Sequence, residues 1–266
     1  MIKESLKQLA KGGKEYLRYL KYKNMLPKNP MHDDIYIVEF PKSGITWLQN
    51  IIGNIELQLI DKREKITFYN HHKYLPDIHQ VKGININRFL NRSFIKSHSK
   101  YNPYYYFVVY LIRNPFDVMV SYYNFLTDHG QNFTFEEFVK SNNGIVAWKN
   151  HINSWHYKRL DAQRLHFIKY ENLLSNAELE IKKLYENLGV EVLVEVLQKA
   201  LKYSSLDEMS QLELHYKDSN PNYSMTFVGK KNKKRKEELL TADIKEYITL
   251  VAKDEIEYFY PELLKN

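Results

Sequence analysis

The sequence predicts a three-layer α/β fold, in which a central parallel β-sheet is flanked by helices. Three observations carry this prediction. Short apolar runs alternate with segments of helical periodicity, residues 105–112 are apolar on both faces, and no break in composition divides the chain. With 266 residues, 44% hydrophobic and 27% charged, the chain has the composition of a globular protein. We therefore expect a single domain over residues 1–266.

The first strand and helix are the most strongly patterned part of the sequence. Residues 35–40 form a short apolar run that Pro41 closes, which predicts a buried strand. From Trp47 to Leu59 apolar residues recur at helical spacing, so strand, tight loop and helix follow one another directly. Further strands are expected at 93–96, 105–112 and 165–169.

Capping residues mark several of the predicted helices. Asn114 and Pro115 supply an N-cap and a first-turn proline. Residues 175–178 have the pattern of a capping box that begins with Ser175, for a helix that Gly189 ends. The remaining expected segments are an N-terminal helical extension (1–30), helices near 135–140, 145–161 and 193–202, a polar stretch (210–222) and a final helix from about 241.

Charge and cysteine content restrict the chemistry. The formal net charge of +7 favours an anionic ligand: a nucleotide, a nucleic acid, or a sulfated or phosphorylated substrate. Because the chain has no cysteine, disulfides, thiolate nucleophiles and thiolate zinc sites are excluded. No apolar run reaches the roughly 20 residues of a membrane span, and the N-terminus lacks the apolar core of a signal peptide. We expect a cytoplasmic protein without a membrane span.

The loop between the first strand and its helix has the composition of an anion site. Residues 41–47 lie where open α/β sheets bind anions, at the carboxyl end of a strand and the N-terminus of a helix. Gly44 permits close approach of the backbone, Lys42 adds a positive charge, and Ser43 and Thr46 offer hydroxyl groups. The alternative is an ordinary turn with a solvated lysine.

The surroundings of this loop argue against phosphoryl transfer. The lysine precedes the glycine, unlike in the usual phosphate-binding loop of kinases and ATPases. The apolar run 105–112 ends in Arg113, whereas a magnesium site requires a carboxylate there. A cation at that strand end repels magnesium and attracts a second anionic group, so the sequence predicts a metal-free site.

Four ordered motifs resemble those of the cytosolic-type sulfotransferase family. Residues 41–47 are similar to its 5′-phosphosulfate loop, with Ile45 where threonine is usual. Residues 95–98 look like its strand-borne lysine and catalytic histidine, and residues 113–121 look like its 3′-phosphate motif. Residues 167–173 match a segment whose tyrosine lies near the adenine. These motifs occur in family order and spacing.

The resemblance implies a P-loop NTPase-like sulfotransferase fold and a metal-independent enzyme. The family's donor is 3′-phosphoadenosine 5′-phosphosulfate (PAPS), which leaves 3′-phosphoadenosine 5′-phosphate (PAP). The implied reaction is in-line sulfuryl transfer to a hydroxyl or amine of a small-molecule or glycan acceptor. By this resemblance His98 is the general base, and Lys42 and Lys96 are its catalytic partners. Lys96 and His98 are two apart on a strand, so we expect them to share one face.

The donor site implied by the resemblance draws on the whole chain. Its members are Lys42, Ser43, Gly44, Ile45, Thr46, Trp47, Arg113, Ser121, Tyr170, Ser204, Gly229, Lys230 and Lys231. The last three belong to a predicted basic donor-binding loop (223–240), where Gly229 stands at the family's arginine position and Lys231 at its glycine position. Such a basic run also fits a nucleic-acid patch, but it lacks interleaved aromatic residues, and we expect no nucleic-acid partner.

The acceptor and the assembly stay open at this level. Three aromatic and histidine-rich segments are candidates for the acceptor pocket: 71–74, 101–105 and 129–135. The pair His71 and His72 lacks a third metal ligand in the sequence pattern. A nucleoside or small-molecule kinase and a non-catalytic nucleotide-binding protein remain alternative functions, and a homodimer is compatible with the sequence.

Overall fold

A four-stranded parallel sheet forms the centre of the computed structural model, which describes residues 13–14, 16–17, 20, 22–67, 69–157, 164–220 and 236–264. The strands are β1 (Ile35–Glu39), β2 (Phe94–Ser97), β3 (Phe107–Ile112) and β4 (Arg164–Lys169). Their order is β2-β1-β3-β4, and every neighbouring pair is parallel. This order brings the carboxyl ends of β1, β2 and β3 to one edge of the sheet, where the predicted anion loop begins.

Helices cover both faces of the sheet. Beyond residue 22, within the described part of the chain, they are α1 (Ile45–Leu59), α2 (His71–Tyr74), α3 (Ile78–Val81), α4 (Pro115–Asp128), α5 (Phe135–Lys140), α6 (Ile145–His156), α7 (Tyr170–Ser175), α8 (Ala177–Asn187), α9 (Val194–Tyr203), α10 (Leu206–Ser219), α11 (Lys236–Leu239), α12 (Ala242–Val251) and α13 (Lys253–Phe259). Residues Lys23–Met25 and Pro261–Leu264 form short 3₁₀ turns. The predicted extension at 1–30 lies mainly outside the described residues.

Alternation along the strands divides the core into two layers. Ile35 and Ile37 of β1 pack with α1, α8 and α9 on one face. Tyr36 and Val38 pack on the other face with α4, α6, α12 and α13. All six residues of β3 are buried, as expected for a central parallel strand. The predicted three-layer α/β class is confirmed.

Several local features depart from the prediction. The helix predicted to begin after Ser175 (α8) begins at Ala177, because Asn176 rather than Ser175 accepts a hydrogen bond from the N–H of Leu179 at 3.1 Å. The stretch predicted as polar is largely helical (α10), and Ser205 caps it by accepting from the N–H of Glu208. The two short helices α2 and α3 had no counterpart in the sequence prediction. At the start of α4, the predicted cap is confirmed, since Asn114 Oδ1 accepts from Phe116 N–H at 2.9 Å.

Candidate functional site

The loop between β1 and α1 has a strained, tightly held backbone. Lys42 has φ 74° and Gly44 has φ 109°, so two nearby residues adopt the left-handed region. A Cβ atom at position 44 would lie 2.5 Å from Tyr170 Cε2, which leaves room only for glycine. Ser43 Oγ donates to the carbonyl of Phe40 at 2.8 Å, so this hydroxyl supports the turn from inside.

Arg113 joins this loop to the end of β3. Its guanidinium lies 4.4 Å from the ring centroid of Tyr170, and Nη1 donates to the carbonyl of Lys42 at 3.2 Å. Arg113 Nε is buried and has no hydrogen-bond partner among the described residues. A buried donor on a fixed cation is an arrangement that favours an anion.

Two aromatic side chains, Trp47 and Tyr170, and the C-terminal end of α9 pack against this loop. Trp47 and Tyr170 meet edge to face, with ring centroids 5.9 Å apart. The indole N–H of Trp47 donates to the carbonyl of Ser204 at 2.8 Å. Ser204 is completely buried, and its Oγ lies 3.5 Å from Asn54 Nδ2. The backbone of Ser204 therefore holds the indole in place.

His98 lies one residue beyond the end of β2 and faces β1. Its Nδ1 is 3.4 Å from the carbonyl oxygen of Glu39 and 3.8 Å from Glu39 Oε1. Since a carbonyl oxygen only accepts, Nδ1 carries the hydrogen and Nε2 is the unprotonated nitrogen. Burial, followed by the positive charge of Lys96, lowers the pKa of His98 to about 4. The imidazole is therefore neutral at pH 7, with one nitrogen able to accept a proton.

Lys96 lies next to this histidine on β2 and already has an anionic partner. Its Nζ is 3.3 Å from Asp77 Oδ2, and both side chains are about one-fifth exposed. The segment before α3 also pairs with β2, since Lys96 N–H donates to the carbonyl of Pro76 at 2.8 Å. Asp77 thus fixes the lysine beside His98, a partner that the sequence analysis missed.

Helix α6 holds the chain that follows β2. His151 Nε2 lies 3.2 Å from the carbonyl oxygen of His98, and Trp155 Nε1 donates to the carbonyl of Ser99 at 3.0 Å. Because Nε2 donates, His151 Nδ1 accepts, and the hydroxyl of Tyr110 donates to it at 2.7 Å. Burial lowers the pKa of His151 to about 3, so this ring is neutral. The position of His98 is therefore set from a helix 53 residues away in sequence.

A buried carboxylic acid, Glu39, occupies the centre of this arrangement. It ends β1, is 2% exposed, and accepts a hydrogen bond from Ile45 N–H at 2.8 Å. Burial raises its pKa to about 7, although the charges of Lys96, Lys42 and Arg113 oppose the rise. Glu39 was not among the residues predicted from the sequence, where the one signal for it was a carboxylate at the end of an otherwise apolar strand.

The structure thus brings many of the predicted residues to one edge of the sheet. The loop residues 42–47, Arg113 and Tyr170 are joined by the contacts above, and His98 and Lys96 lie beside them. Ser121 is half-buried on α4, eight residues beyond Arg113. Gly229, Lys230 and Lys231 lie outside the described residues, as does most of the predicted basic loop. At its described end, Lys236 Nζ is 2.5 Å from Asp117 Oδ1 on α4.

A cavity of about 550 Å³ opens beside the segment that follows His98. Ser99, Tyr101 and Asn102 are among its lining residues, with Tyr22 and His79. Of the three segments predicted for the acceptor, 101–105 contributes to this cavity, whereas Gln131 and Phe133 line a second cavity of about 440 Å³.

Across the described ranges, no group of three or more histidine, aspartate or glutamate side chains is arranged to hold a metal ion. In the same part of the chain, no helix has both the length and the apolar character that crossing a bilayer demands.

Comparisons with known proteins agree with this geometry. The family model described as "Sulfotransferase domain" matches residues 32–266. Sulfotransferase 1E1 of Rattus norvegicus is 30% identical over 213 residues, 73% of this chain and 69% of the rat protein. Sulfotransferase 1E1 of Bos taurus is 33% identical over 196 residues, and this match spans 66% of each chain.

Solved structures share the fold at lower identity. Mouse sulfotransferase SULT7A1, complexed with PAP, has a TM-score of 0.61 and 20% identity, over 91% of this chain and 90% of that one. Retinol dehydratase, in complex with androsterone and the inactive cofactor PAP, has a TM-score of 0.64 and 16% identity, over 90% of this chain and 85% of that one. These similarities establish the architecture.

Proposed function

Because the chain belongs to the sulfotransferase family and is a transferase, we propose that it moves the sulfuryl group of PAPS to a hydroxyl or amine of a small-molecule acceptor. The observation that carries the proposal is the position of His98. Its neutral ring lies beside the loop that connects β1 to α1, with Nδ1 turned to Glu39 and Nε2 free to accept a proton. That is the arrangement a general base requires.

The residues at this edge fit a donor with separated phosphate groups. Gly44 allows the loop to pack directly against the ring of Tyr170, and the N-terminus of α1 begins directly after it. Lys42 adds charge on the loop, while the unpartnered Nε of Arg113 offers a hydrogen bond at the end of β3. We assign the 5′ end to the loop residues 42–47 and the 3′-phosphate to Arg113 with Ser121.

The remaining donor residues complete this proposal. Trp47 and Tyr170 present the aromatic wall against which an adenine would pack. Ser204 acts through its backbone, because it holds the indole of Trp47. Gly229, Lys230 and Lys231, within the loop 223–240, are proposed to add charge at the 3′-phosphate.

In the proposed reaction each side chain has one task. PAPS supplies the activated sulfuryl group. His98 Nε2 takes the proton from the acceptor, and the protonated ring is held by its Nδ1–H on Glu39. Lys42 and Lys96 offset the negative charge that develops on the leaving phosphate, as fixed positive groups in a partly buried site do. We propose that no metal takes part.

The acceptor is proposed to enter the cavity of about 550 Å³ that is lined by the segment after His98. Ser99, the residue that follows the base in sequence, and Tyr101 are among its lining residues. A site built from aromatic and small polar side chains suits phenols, alcohols and sugars. The single-domain organisation, the homodimer and the cytoplasmic location remain predictions.

Calorimetric titration separates this proposal from its two alternatives. We expect PAP to bind tightly without metal, and ADP with magnesium to bind at least tenfold more weakly. Turnover of PAPS with a panel of phenols, alcohols and amines would then distinguish an enzyme from a nucleotide-binding protein. Preferential binding of ADP–magnesium, with phosphate transfer from ATP, would instead establish a kinase.

A further inference from the structure

The carboxyl group of Glu39 is a buried charge inside the region proposed for the donor. Ile35, Ile37 and Glu39 share one face of β1, and the two isoleucines pack in the apolar layer under α1. Glutamate at this position therefore places an ionisable group where the strand pattern would be satisfied by an apolar residue. Burying a carboxylate is costly unless hydrogen bonds and opposite charges compensate it.

The carboxyl group of Glu39 accepts a hydrogen bond from a backbone N–H at the end of the loop, that of Ile45. Gly44 is the N-cap of α1 and has no side chain to cap the helix. Glu39 Oε2 takes that role by accepting from Ile45 N–H at 2.8 Å. The internal carboxylate thus lies at the same helix N-terminus to which the proposed function assigns the 5′-phosphate of the donor.

Charged and titratable groups from several elements surround this carboxyl group. They are Lys96 and His98 at the end of β2, Lys42 in the loop, Arg113 after β3, Tyr110 on β3 and Tyr170 on α7. The three cations stabilise the ionised form of Glu39, whereas burial disfavours it, and its pKa of about 7 is the balance. Near neutral pH the group is therefore poised between its two forms.

From this geometry we propose that Glu39 is a further residue of the donor site, whose carboxylate takes up one proton from solvent when the donor binds. The proposal rests on the proposed function, which places an anion at this loop. Bound phosphates share Lys42 and Arg113 with the carboxylate and repel its negative charge. The protonated carboxyl group avoids this repulsion, so donor binding and proton uptake are linked.

The linkage has a definite sign. Below about pH 7 Glu39 is already protonated in the free protein, so the Kd for PAP is independent of this group. Above that pH a proton must be taken up, so the Kd rises by up to about tenfold per pH unit until the pKa of the complex is reached. The affinity for PAP therefore weakens as the pH rises from 7 to 9.

Titration calorimetry with PAP at pH 7.5, in HEPES and in Tris, measures this proton directly. The two buffers differ in ionisation enthalpy, so the difference in observed heat gives the protons taken up. We expect about three quarters of a proton more for the wild-type protein than for Glu39→Gln, given the half-ionisation point near 7. Glutamine keeps an oxygen for Ile45 N–H, and protons released by PAP itself cancel in the comparison.

Glu180→Gln is the matched control, because Glu180 lies on α8 and pairs with Lys183 away from the donor loop. It should take up the same number of protons as the wild type. At pH 8.5 the Glu39→Gln variant should bind PAP up to about thirtyfold more tightly than the wild type, given the pKa of about 7 for Glu39 in the free protein. Equal proton uptake by Glu39→Gln and the wild type would overturn the inference and leave the proposed function intact.

A second measurement needs no variant and covers the case in which Glu39→Gln does not fold. The Kd of the wild-type protein for PAP is determined between pH 6 and 9. A Kd that rises above pH 7 supports the inference, and a constant Kd overturns it. If the wild-type protein binds no PAP at any pH, the proposed function itself fails, so the two failures are distinguishable.

Discussion

The hydrogen-bonded chain from Tyr110 through His151 to His98 allows a quantitative test of how the base is held. In His151→Phe a phenyl ring replaces the imidazole and keeps an aromatic group at this position. The hydroxyl of Tyr110 and the carbonyl of His98 both lose their hydrogen-bond partner. Leaving a buried polar group unsatisfied costs about 1–3 kcal/mol, and the Tyr110 side chain is fully buried. We expect the free energy of unfolding to fall by about 3 kcal/mol.

The same substitution should also slow transfer, because the backbone of His98 is no longer anchored to α6. We expect kcat to fall about tenfold, as a displacement of roughly 1 Å in a catalytic group commonly costs this much or more. Urea denaturation and steady-state kinetics at saturating PAPS measure the two effects on one preparation. The Kd for PAP should stay within threefold of the wild-type value.

Tyr110→Phe supplies the control for this account. Once the Tyr110 hydroxyl is absent, His151→Phe leaves one fewer buried polar group without a partner. The double variant should therefore lose about 1 kcal/mol less free energy of unfolding than the sum of the losses of the two single variants. Additive losses, or a single variant within 0.5 kcal/mol of the wild type by urea denaturation, would refute the hydrogen-bonded chain.

Three further predictions follow from particular contacts. Gly44→Ala should weaken PAP binding at least tenfold by calorimetry, since its Cβ would lie 2.5 Å from Tyr170 at a φ of 109°; unchanged binding would contradict the close approach. Trp47→Phe removes the hydrogen bond to Ser204 and should lower the free energy of unfolding by about 1 kcal/mol. An unchanged free energy of unfolding in urea denaturation would contradict this hydrogen bond. His151 has a lowered pKa of about 3 in the folded protein, so its neutral form stabilises the fold above the unfolded-state pKa of about 6.5. The free energy of unfolding should therefore fall progressively as the pH drops below 6.5. Urea denaturation from pH 7 to 5 measures this fall, and His151→Phe should make it less steep.

The β1-loop-α1 unit was predictable because all of its signals are local. An apolar run, a proline and a glycine, followed by apolar residues at helical spacing, define the strand, the turn and the helix without knowledge of any distant residue. The same holds for the start of α4, where the Asn114 cap and the proline are adjacent in sequence. The motifs predicted from resemblance fall at these same strand ends.

The N-cap of α8 was predicted one residue too early, because two neighbouring residues have similar capping ability. Ser175 and Asn176 are both good N-caps, and the choice between them depends on how the chain leaves α7. In α10 the polar composition concealed a helix whose Met209 and Glu213 are buried by tertiary packing. Propensity alone does not decide such cases.

The side chains that position His98 were beyond sequence reasoning because their partners are distant along the chain. Asp77 reaches Lys96 from the N-cap of α3, His151 reaches His98 from α6, and Glu39 contacts the base at the sheet edge. Each pairing exists only after the parallel sheet has formed. Residue type gave no reason to single out Asp77 or His151 among the other acids and histidines, and the signal for Glu39 was only its position at the end of an apolar strand.

Transfer of radiolabelled sulfate from PAPS by His98→Asn tests the central claim most directly. Measured at saturating PAPS against a panel of phenols, alcohols and amines, with His166→Asn on β4 as the control, the variant should lose at least about a hundredfold in kcat, within the usual contribution of a general base. Its Kd for PAP should remain within threefold of the wild-type value. A His98→Asn protein that transfers sulfate at a rate close to that of His166→Asn would contradict the account.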